Sequence, residues 1–337
     1  MRAVVVEKPE TATVLDVPRP TPGPGEVVVQ VAACGICGTD KHIYAGSFLS
    51  HYPLTPGHEF AGVVSDIGPG VHEVREGDRV AVDPSLFCGE CYYCRKLQGN
   101  HCVRWGAIGD TTNGAFAEYV KVPARNCYKL SDSLSFEEAA VIEPLSCVAW
   151  GQKRLQAQPG DSVLLLGAGP MSLLWTQMLR HGNASQIVVT DLHEPRLAMA
   201  RGLGASATVP AGEGQAERLH ELAPHGFDVV IDVTGIPAVL QSGFDYVAPM
   251  GKVMVFGVCP LKSTITVEPF QVYNKDLTIL GSMALNYTFL PAIAMLESGV
   301  VDVKPMLTHR LPLEDFTHAL SLAGSRESMK VQIAPQS

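Results

Sequence analysis

Four cysteines stand close together in the first third of the chain, in a segment rich in glycine and polar residues. They follow the spacing C-x-x-C-x-x-C, with the fourth after seven further residues: Cys88, Cys91, Cys94 and Cys102. Four thiolates on a short loop complete a tetrahedral shell around Zn²⁺ and leave no position open for a substrate. The spacing therefore favours a structural zinc site. An iron–sulfur cluster is the main alternative, and disulfide pairing is a weaker one.

A second group of possible ligands is dispersed along the chain: Cys37, His58, Glu59 and Glu143. Sulfur, imidazole and carboxylate together suit zinc at a catalytic site, where one position stays open to water or substrate. Each residue also has a simpler explanation. Cys37 could form a redox pair with Cys34, and His58 could be a structural histidine. Glu143, which precedes a proline, could be a carboxylate at a helix start. On these residues alone, both interpretations stay open.

The segment from Asp161 to Asp191 predicts a strand, a glycine turn, a helix and a second strand. Gly167 and Gly169 would let the backbone approach a pyrophosphate, whose charge the amide groups at the helix N-terminus would stabilise. Asp191 ends the second strand at the spacing expected for a carboxylate that binds a nucleotide ribose. Ser172 stands where a third glycine or alanine is usual, and its small side chain is compatible with close packing. The segment predicts a dinucleotide site.

The composition excludes several classes of protein. With 337 residues, 46% of them apolar and 18% charged, the chain is typical of a globular protein of about two domains. Its formal charge of −9, with no cluster of Lys and Arg, argues against a nucleic-acid partner. It lacks the roughly 18 consecutive apolar residues of a membrane span, and its N-terminus has no signal-peptide core. We expect a cytoplasmic protein whose nine cysteines are metal ligands or buried thiols.

The elements that must position these residues change in type near residue 144. Before it, short β-branched runs alternate with prolines and glycines, as in an antiparallel all-β module; the runs are 3–6, 27–31, 61–65, 79–82 and 117–122. After it, helical runs alternate with buried strands, which predicts a doubly wound parallel sheet. Its predicted members include a helix at 194–203 and strands at 227–233 and 252–258. A final strand at 330–333 is expected to pack on the first module.

Several motifs give the chain a resemblance to a known family over essentially its whole length. GHEFAGVVSDIGPGV (57–71) resembles the zinc-alcohol-dehydrogenase signature, and CGTD (37–40), the four-cysteine lobe (86–104) and GAGPMS (167–172) occur in the family's usual order. The chain is similar to the zinc-dependent medium-chain dehydrogenase/reductase family. IEPL (142–145) resembles its polyol, threonine and butanediol dehydrogenase branch, in which a glutamate replaces the third protein ligand of ordinary alcohol dehydrogenases.

The resemblance implies an α/β plus all-β architecture. A GroES-like antiparallel β catalytic domain would span 1–143, and a Rossmann domain with a doubly wound parallel sheet would span 144–285. The segment 286–337 would return to the catalytic domain. The family also leads us to expect a homodimer or homotetramer.

By resemblance, Cys37 and His58 would bind a catalytic zinc, with Glu59 and Glu143 as the other two candidate ligands. Which carboxylate binds directly stays open, and the two could exchange. One thiolate and one carboxylate neutralise Zn²⁺, whereas a second carboxylate leaves the site anionic and the ion a weaker Lewis acid. With the four-cysteine lobe, this implies two zinc ions per chain.

Zinc lowers the pKa of a bound alcohol, and the resemblance also implies a path for the proton that the alcohol loses. Thr39 resembles the hydroxyl that takes the proton, and His42 resembles the surface histidine that passes it to water. Without the family, a turn-stabilising hydroxyl and an exposed helix histidine would be the simpler explanations.

Eight residues are candidates for binding the cofactor: Gly167, Gly169, Pro170, Met171, Asp191, Arg196, Thr234 and Val258. Asp191 would hydrogen-bond the ribose hydroxyls and repel a 2′-phosphate, and the next two residues offer no arginine to pair with one. This favours NAD over NADP. Arg196 resembles the residue that covers the adenine, although a helix-surface arginine is equally plausible.

A carboxylate-rich zinc site suits vicinal diols, so the first choice of substrate is a sugar alcohol oxidised at a secondary hydroxyl. L-Threonine and 2,3-butanediol stay open, and a catalytically inactive scaffold or redox sensor that binds NAD and zinc is the alternative of another class. The candidate pocket walls are Ile43, Tyr44, Phe48, Tyr52, Trp105 and Phe116.

Overall fold

A computed structural model describes residues 1–47 and 51–337, and Phe48 lies outside the described residues. The chain divides into two compact units. The first comprises Met1–Cys147, Leu285–Gly299 and Val303–Ser337, and the second comprises Val148–Ala284 and Val300–Asp302.

Strands dominate both ends of the chain, and helices alternate with strands between them. The described strands are β1 Arg2–Lys8, β2 Thr11–Asp16, β3 Glu26–Gly35, β4 Glu59–Ile67, β5 Arg79–Val82, β6 Ser85–Leu86, β7 Gly106–Ala107, β8 Tyr119–Pro123, β9 Cys127–Lys129, β10 Ser162–Leu166, β11 Gln186–Asp191, β12 Ala207–Pro210, β13 Phe227–Asp232, β14 Val247–Val255, β15 Thr278–Gly281, β16 Leu307–Leu311 and β17 Lys330–Ile333. The described α-helices are α1 Gly38–Tyr44, α2 Tyr92–Arg95, α3 Phe136–Ala139, α4 Ile142–Leu155, α5 Pro170–His181, α6 Glu194–Gly202, α7 Gln215–Leu222, α8 Pro237–Tyr246, α9 Pro269–Asn274, α10 Phe289–Glu297 and α11 Phe316–Leu322. Among the helices of these ranges, none has the length and apolar character needed to cross a membrane.

The first unit is built on a seven-stranded sheet. Its order is β16-β17-β3-β4-β5-β9, with β8 also paired to β3. The β16–β17 pair is parallel, and the other pairs are antiparallel. The antiparallel β fold predicted for this part of the chain is confirmed. The last strand, β17, pairs with β3, so residues from both ends of the chain lie in one sheet.

Strand β3 lies inside this sheet, where it pairs with β17, β4 and β8. Val27, Val29 and Val31 are completely buried in the apolar core of the unit. β-Branched side chains fit such a pleated, buried surface. The carboxyl end of β3 leads directly into Cys37 and helix α1.

The second unit contains a six-stranded parallel sheet in the order β12-β11-β10-β13-β14-β15. Strand order reverses at β10, where one branch continues to β11 and the other to β13. Ligands of open α/β sheets bind outside the carboxyl ends of the strands at such a reversal. The doubly wound fold is confirmed, and Gly167 follows β10 at the reversal.

One predicted strand is wrong at its end. The strand expected at 252–258 is β14, which ends at Val255. Phe256 and Gly257 instead donate backbone hydrogen bonds to the carbonyl of Asp232, at 3.1 and 2.8 Å. Gly257 lies directly against the backbone of Gly235. The strand therefore ends before the apolar run does, because Phe256 and Gly257 form a turn at the sheet edge.

Candidate active site and metal centres

The structure brings three of the dispersed candidate ligands together: Cys37, His58 and Glu59. One ligand atom from each lies within 4.8 Å of the other two. Cys37 directly precedes α1, and His58 and Glu59 stand at the start of β4. Since β3 and β4 pair with Gly35 opposite Glu59, the end of one strand meets the beginning of the next. Sheet register therefore assembles the cluster from distant sequence positions.

Gly57 allows His58 to reach this position. Its φ is +102°, and a Cβ there would lie 2.8 Å from the backbone nitrogen of Phe116 and 2.9 Å from Sγ of Cys34. A side chain is excluded both by conformation and by space. The glycine before the histidine is thus a structural requirement of the site.

Asp40 links two of the clustered residues. It is fully buried, and its Oδ2 accepts a hydrogen bond from the backbone N–H of Cys37 at 2.8 Å. Its Oδ1 lies 3.8 Å from Nδ1 of His58. Burial raises the pKa of Asp40 to about 7, although the nearby His58 opposes the rise.

The imidazole of His58 faces a second acid, because its Nδ1 lies 3.4 Å from Oδ1 of Asp110. Neither atom has a hydrogen-bond partner among the described residues, so the acid acts on the ring through its charge. Burial alone would lower the pKa of His58, but Asp110, Cys37 and Asp40 raise it well above its usual value. These buried acids favour a cation at the cluster, which fits a metal ion.

Glu59 is engaged by a residue that the sequence patterns did not indicate. Its Oε2 contacts Nζ of Lys330, and the two side chains are 2% and 4% exposed. Burial alone would lower the pKa of Lys330, but Glu59 and Cys37 raise it above its usual value. The lysine therefore remains charged next to the candidate ligands.

Glu143 lies in the first turn of α4 and is 8% exposed. Its Oε1 accepts a hydrogen bond from the Cys147 thiol at 3.6 Å. Burial raises the pKa of Glu143 to about 8; His58 lowers it and Glu59 raises it. Glu143 therefore interacts electrostatically with His58 and Glu59, although its oxygens are outside the three-residue group.

Thr39 and His42 lie three residues apart on α1, so their side chains share one face of that helix. Thr39 Oγ1 is 3.7 Å from Sγ of Cys37. His42 is half-buried, and its Nδ1 is 3.3 Å from Oγ of Ser47. The hydroxyl thus adjoins the sulfur ligand, and the imidazole stands one turn further along the helix.

The four-cysteine lobe has the dimensions of a single-metal site. Four Sγ–Sγ separations lie between 3.5 and 3.9 Å, and all four sulfurs lie within 4.8 Å of one another. Sulfurs at the usual Zn–S distance of 2.3 Å form a tetrahedron with edges of about 3.8 Å. Backbone N–H groups of Cys88, Cys91 and Arg104 donate to these sulfurs at 3.3–3.4 Å. The spacing fits one zinc ion and is too small for a cluster of several irons.

The glycine turn of the second unit fits a pyrophosphate. Gly167 has φ +102°, and a Cβ there would lie 2.8 Å from Cγ2 of Thr234. A Cβ at Gly169 would have no atom within 4 Å, so the turn leaves open space next to the N-terminus of α5. Pro170 and Met171 form the first turn of that 12-residue helix. A helix N-terminus beside open space suits an anion.

Asp191 lies at the carboxyl end of β11, beside this turn. Its Oδ2 accepts a hydrogen bond from the N–H of Ala168 at 2.8 Å, and its Oδ1 accepts one from the N–H of His193 at 2.9 Å. The carboxylate is therefore fixed in orientation next to the glycine turn. Arg196 is half-buried in the first turn of α6.

Thr234 follows β13, and its hydroxyl donates to Oδ1 of Asp232 at 2.6 Å. Val258 is 67% exposed, and its backbone lies against Gly235. Both residues belong to the turns at the carboxyl ends of β13 and β14, on the same edge of the sheet as Gly167.

Two of the expected pocket walls belong to the core instead. Ile43 and Phe116 are completely buried, and the Phe116 ring packs on Phe316 with centroids 5.1 Å apart. The hydroxyl of Tyr44 donates to the carbonyl of Glu10 at 2.9 Å. Large apolar residues are as often in the core as in a pocket, and Ile43 and Phe116 lie in the buried interior.

Sequence reasoning missed Asp40, Asp110 and Lys330 as parts of the site. Asp40 could have been found, because it is the third residue of α1 and its carboxylate caps the backbone of Cys37. Such a cap has a local sequence pattern. Asp110 and Lys330 carry no comparable signal, since they reach the cluster only through the folded chain.

Comparison with known proteins identifies the family. Residues 23–132 match the alcohol dehydrogenase GroES-like domain, and residues 170–298 match the zinc-binding dehydrogenase domain. The chain is 34% identical over 340 residues to D-arabinitol dehydrogenase 1 of Uromyces fabae, covering 99% of this chain and 97% of that one. It is 33% identical to an L-threonine 3-dehydrogenase of Marinomonas sp. (strain MWYL1), covering 94% of both.

Solved structures agree with these matches over the whole chain. An alcohol dehydrogenase from Escherichia coli CFT073, complexed with NADH, has a TM-score of 0.93 at 30% identity and covers 99% of both chains. A chain from Sinorhizobium meliloti 1021, bound to NADP, has a TM-score of 0.94 at 32% identity and the same coverage. The protein belongs to the zinc-binding dehydrogenase family. It is an NAD(P)-dependent zinc dehydrogenase of the alcohol and polyol type, as the sequence motifs predicted.

Proposed function

We propose that the protein oxidises a secondary hydroxyl of a sugar alcohol to the ketone, with NAD as hydride acceptor and two zinc ions per chain. The observation that supports this most strongly is the cluster of Cys37, His58 and Glu59, whose histidine and glutamate are buried and interact electrostatically with the buried Glu143. A site with two carboxylates next to one thiolate offers acceptors for the neighbouring hydroxyl of a vicinal diol. The similarity to D-arabinitol dehydrogenase 1 points in the same direction.

Cys37, His58 and one or both glutamates would hold the catalytic zinc. Zinc at such a site lowers the pKa of an alcohol so that it loses its proton near neutral pH. Thr39 would accept that proton at Oγ1, which lies 3.7 Å from the Cys37 sulfur. His42, one helical turn away, would pass it to water. The carboxylates of Asp40 and Asp110, 3.8 and 3.4 Å from Nδ1 of His58, would favour positive charge at the site.

NAD is the proposed cofactor because of Asp191. A 2′-phosphate would bring negative charge against a carboxylate that two backbone N–H groups already fix in place. Gly167, Gly169 and the first turn of α5 would bind the pyrophosphate. Arg196, Thr234 and Val258 would contact the rest of the cofactor from the same sheet edge.

A panel of alcohols tests the substrate class. NAD reduction is measured with D-arabinitol, sorbitol, L-threonine, 2,3-butanediol and ethanol, and metal content is determined on the same sample. The proposal predicts the highest kcat/KM for a polyol. L-Threonine and 2,3-butanediol are the alternatives, since an L-threonine 3-dehydrogenase is 33% identical to the chain and a 2R,3R-butanediol dehydrogenase structure is 26% identical. If a zinc-loaded protein oxidised none of these alcohols, the result would favour the catalytically inactive scaffold or sensor.

A further inference from the structure

Lys330 is a buried cation in direct contact with a candidate ligand of the catalytic zinc. Its side chain is 4% exposed, and its Nζ contacts Oε2 of Glu59. The same Nζ donates a hydrogen bond to the carbonyl of Ile36 at 3.2 Å. The ammonium is therefore held between the end of β3 and the start of β4, with no access to solvent that would screen its charge.

Three adjacent strands produce this contact through their register. Gln332 of β17 pairs with Gly35 of β3, and Gly35 pairs with Glu59 of β4. A Cβ at Gly35 would overlap the Glu59 carboxylate and lie 2.9 Å from Cε of Lys330. Because residue 35 has no side chain, the charges of β17 and β4 can meet across β3.

Stability alone is a poor reason for such a pair. Removing two charges from water is costly, and apolar residues of similar volume can replace a buried ion pair with little loss of stability. Lys330 instead neutralises the carboxylate of Glu59, a candidate ligand of the metal ion. Glu59 is one of the three residues whose ligand atoms cluster, so its orientation and its charge both act on that ion.

Charge balance explains how two carboxylates fit beside one thiolate. Cys37, Glu59 and Glu143 carry three negative charges when ionised, and Zn²⁺ supplies only two positive ones. An excess negative charge makes the ion a weaker Lewis acid. The ammonium of Lys330 offsets the charge of one of these three candidate ligands. Its hold on Oε2 also leaves Glu59 with only one oxygen for the metal.

We propose that Lys330 is a positioning residue of the zinc site. It balances the charge of the second carboxylate and restrains Glu59, so that the ion keeps an exchangeable position for the substrate. The role of Lys330 in turnover rests on the function proposed above. Its role in metal coordination does not, and it is tested without any substrate.

The test replaces Lys330 by methionine and places Co²⁺ at the catalytic site. Lys330→Met keeps the length of the side chain and removes its charge. We expect both oxygens of Glu59 to become available, so the coordination number rises and the visible absorption of Co²⁺ becomes weaker and shifts. On the active substrate, kcat should fall by about tenfold or more, as for other groups that orient metal ligands.

The charge-conserving variant Lys330→Arg is the decisive companion. It keeps a cation beside Glu59, so it leaves no unpaired buried carboxylate of the kind that could prevent Lys330→Met from folding. Its Co²⁺ spectrum should stay close to that of the unmodified protein. Lys129→Met is the matched control, because Lys129 forms a 2.8 Å ion pair with Asp78 at the surface of the same unit. Its spectrum should not change.

An unchanged Co²⁺ spectrum in Lys330→Met would overturn the proposal. So would a Lys330→Arg protein whose spectrum changes in the same way as that of Lys330→Met, since the shape of the side chain and not its charge would then account for the effect. Failure of every alcohol as a substrate would contradict the proposed function and leave the spectra, and thus this test, intact.

Discussion

The carboxylate of Asp40 accepts a hydrogen bond from the backbone N–H of Cys37 at 2.8 Å, and its other oxygen lies 3.8 Å from Nδ1 of His58. One buried side chain thus fixes the loop that carries the sulfur and places a carboxylate next to the ring that carries the nitrogen. The sulfur ligand of the proposed zinc site is therefore oriented by a residue outside the group of three candidate ligands.

Asp40→Asn tests this arrangement. The amide oxygen can still accept from Cys37, but the negative charge beside His58 is lost. We expect the affinity of the catalytic site for zinc to fall by about 10–100-fold, measured by competition with a chelator. The control is Asp66→Asn, which removes a carboxylate from an exposed pair with Arg19. Equal zinc affinity in Asp40→Asn and the unmodified protein would contradict the role assigned to Asp40.

The four-cysteine lobe should bind one zinc ion independently of the catalytic site. Cys94→Ser removes a buried ligand, so zinc content should fall by one ion per chain and the Tm should decrease, because metal binding contributes directly to folding of such a lobe. Cys127→Ala, which removes a buried thiol outside both clusters, should keep the full zinc content. Full zinc content in Cys94→Ser would show that the lobe is not a metal site.

The two glycines of the cofactor turn should respond differently to alanine. Gly167→Ala introduces a Cβ 2.8 Å from Thr234 at φ +102°, so it should lower the Tm of the protein without cofactor. Gly169→Ala enters open space at φ −76°, so that Tm should stay unchanged while the Kd for NAD rises. Thermal unfolding and NAD titration separate the two effects. Unchanged NAD affinity in Gly169→Ala would place the pyrophosphate elsewhere.

Asp191 should determine the choice between NAD and NADP. Asp191→Ser removes the charge that would oppose a 2′-phosphate and weakens the contact with the ribose. A hydrogen bond to a charged group contributes about 1.5–3 kcal/mol, so the ratio of kcat/KM for NAD over NADP should fall by about tenfold or more. The unmodified protein should prefer NAD. A preference for NADP in the unmodified protein would refute the argument from Asp191.

Local patterns predicted much of the fold. The strands at 79–82 and 330–333 match β5 and β17 at both ends. The first, RVAV, is mostly apolar, and the second, KVQI, alternates polar and apolar residues as strands do. The helix expected at 194–203 is α6, Glu194–Gly202. The strand at 252–258 extended too far, because Phe256 and Gly257 bond to the carbonyl of Asp232 and form a turn. Hydropathy does not reveal such a contact.

The site was predictable where its residues belong to local motifs and unpredictable where it depends on register. Cys37 and His58 could be paired by their motifs, and the structure brings them together. Lys330 lies 271 positions from Glu59 and meets it only because β17, β3 and β4 are neighbours. No local pattern encodes that contact, so the charge balance of the site emerges only from the fold.

Zinc content combined with turnover in Cys37→Ala tests the central claim most directly. Among the described residues, Cys37 belongs to the proposed catalytic site and to no other cluster. The variant should therefore lose one of two zinc ions and all measurable NAD reduction, while the four-cysteine lobe keeps its ion. A folded Cys37→Ala protein that retains both zinc ions and oxidises the alcohol at the unmodified rate would contradict the account.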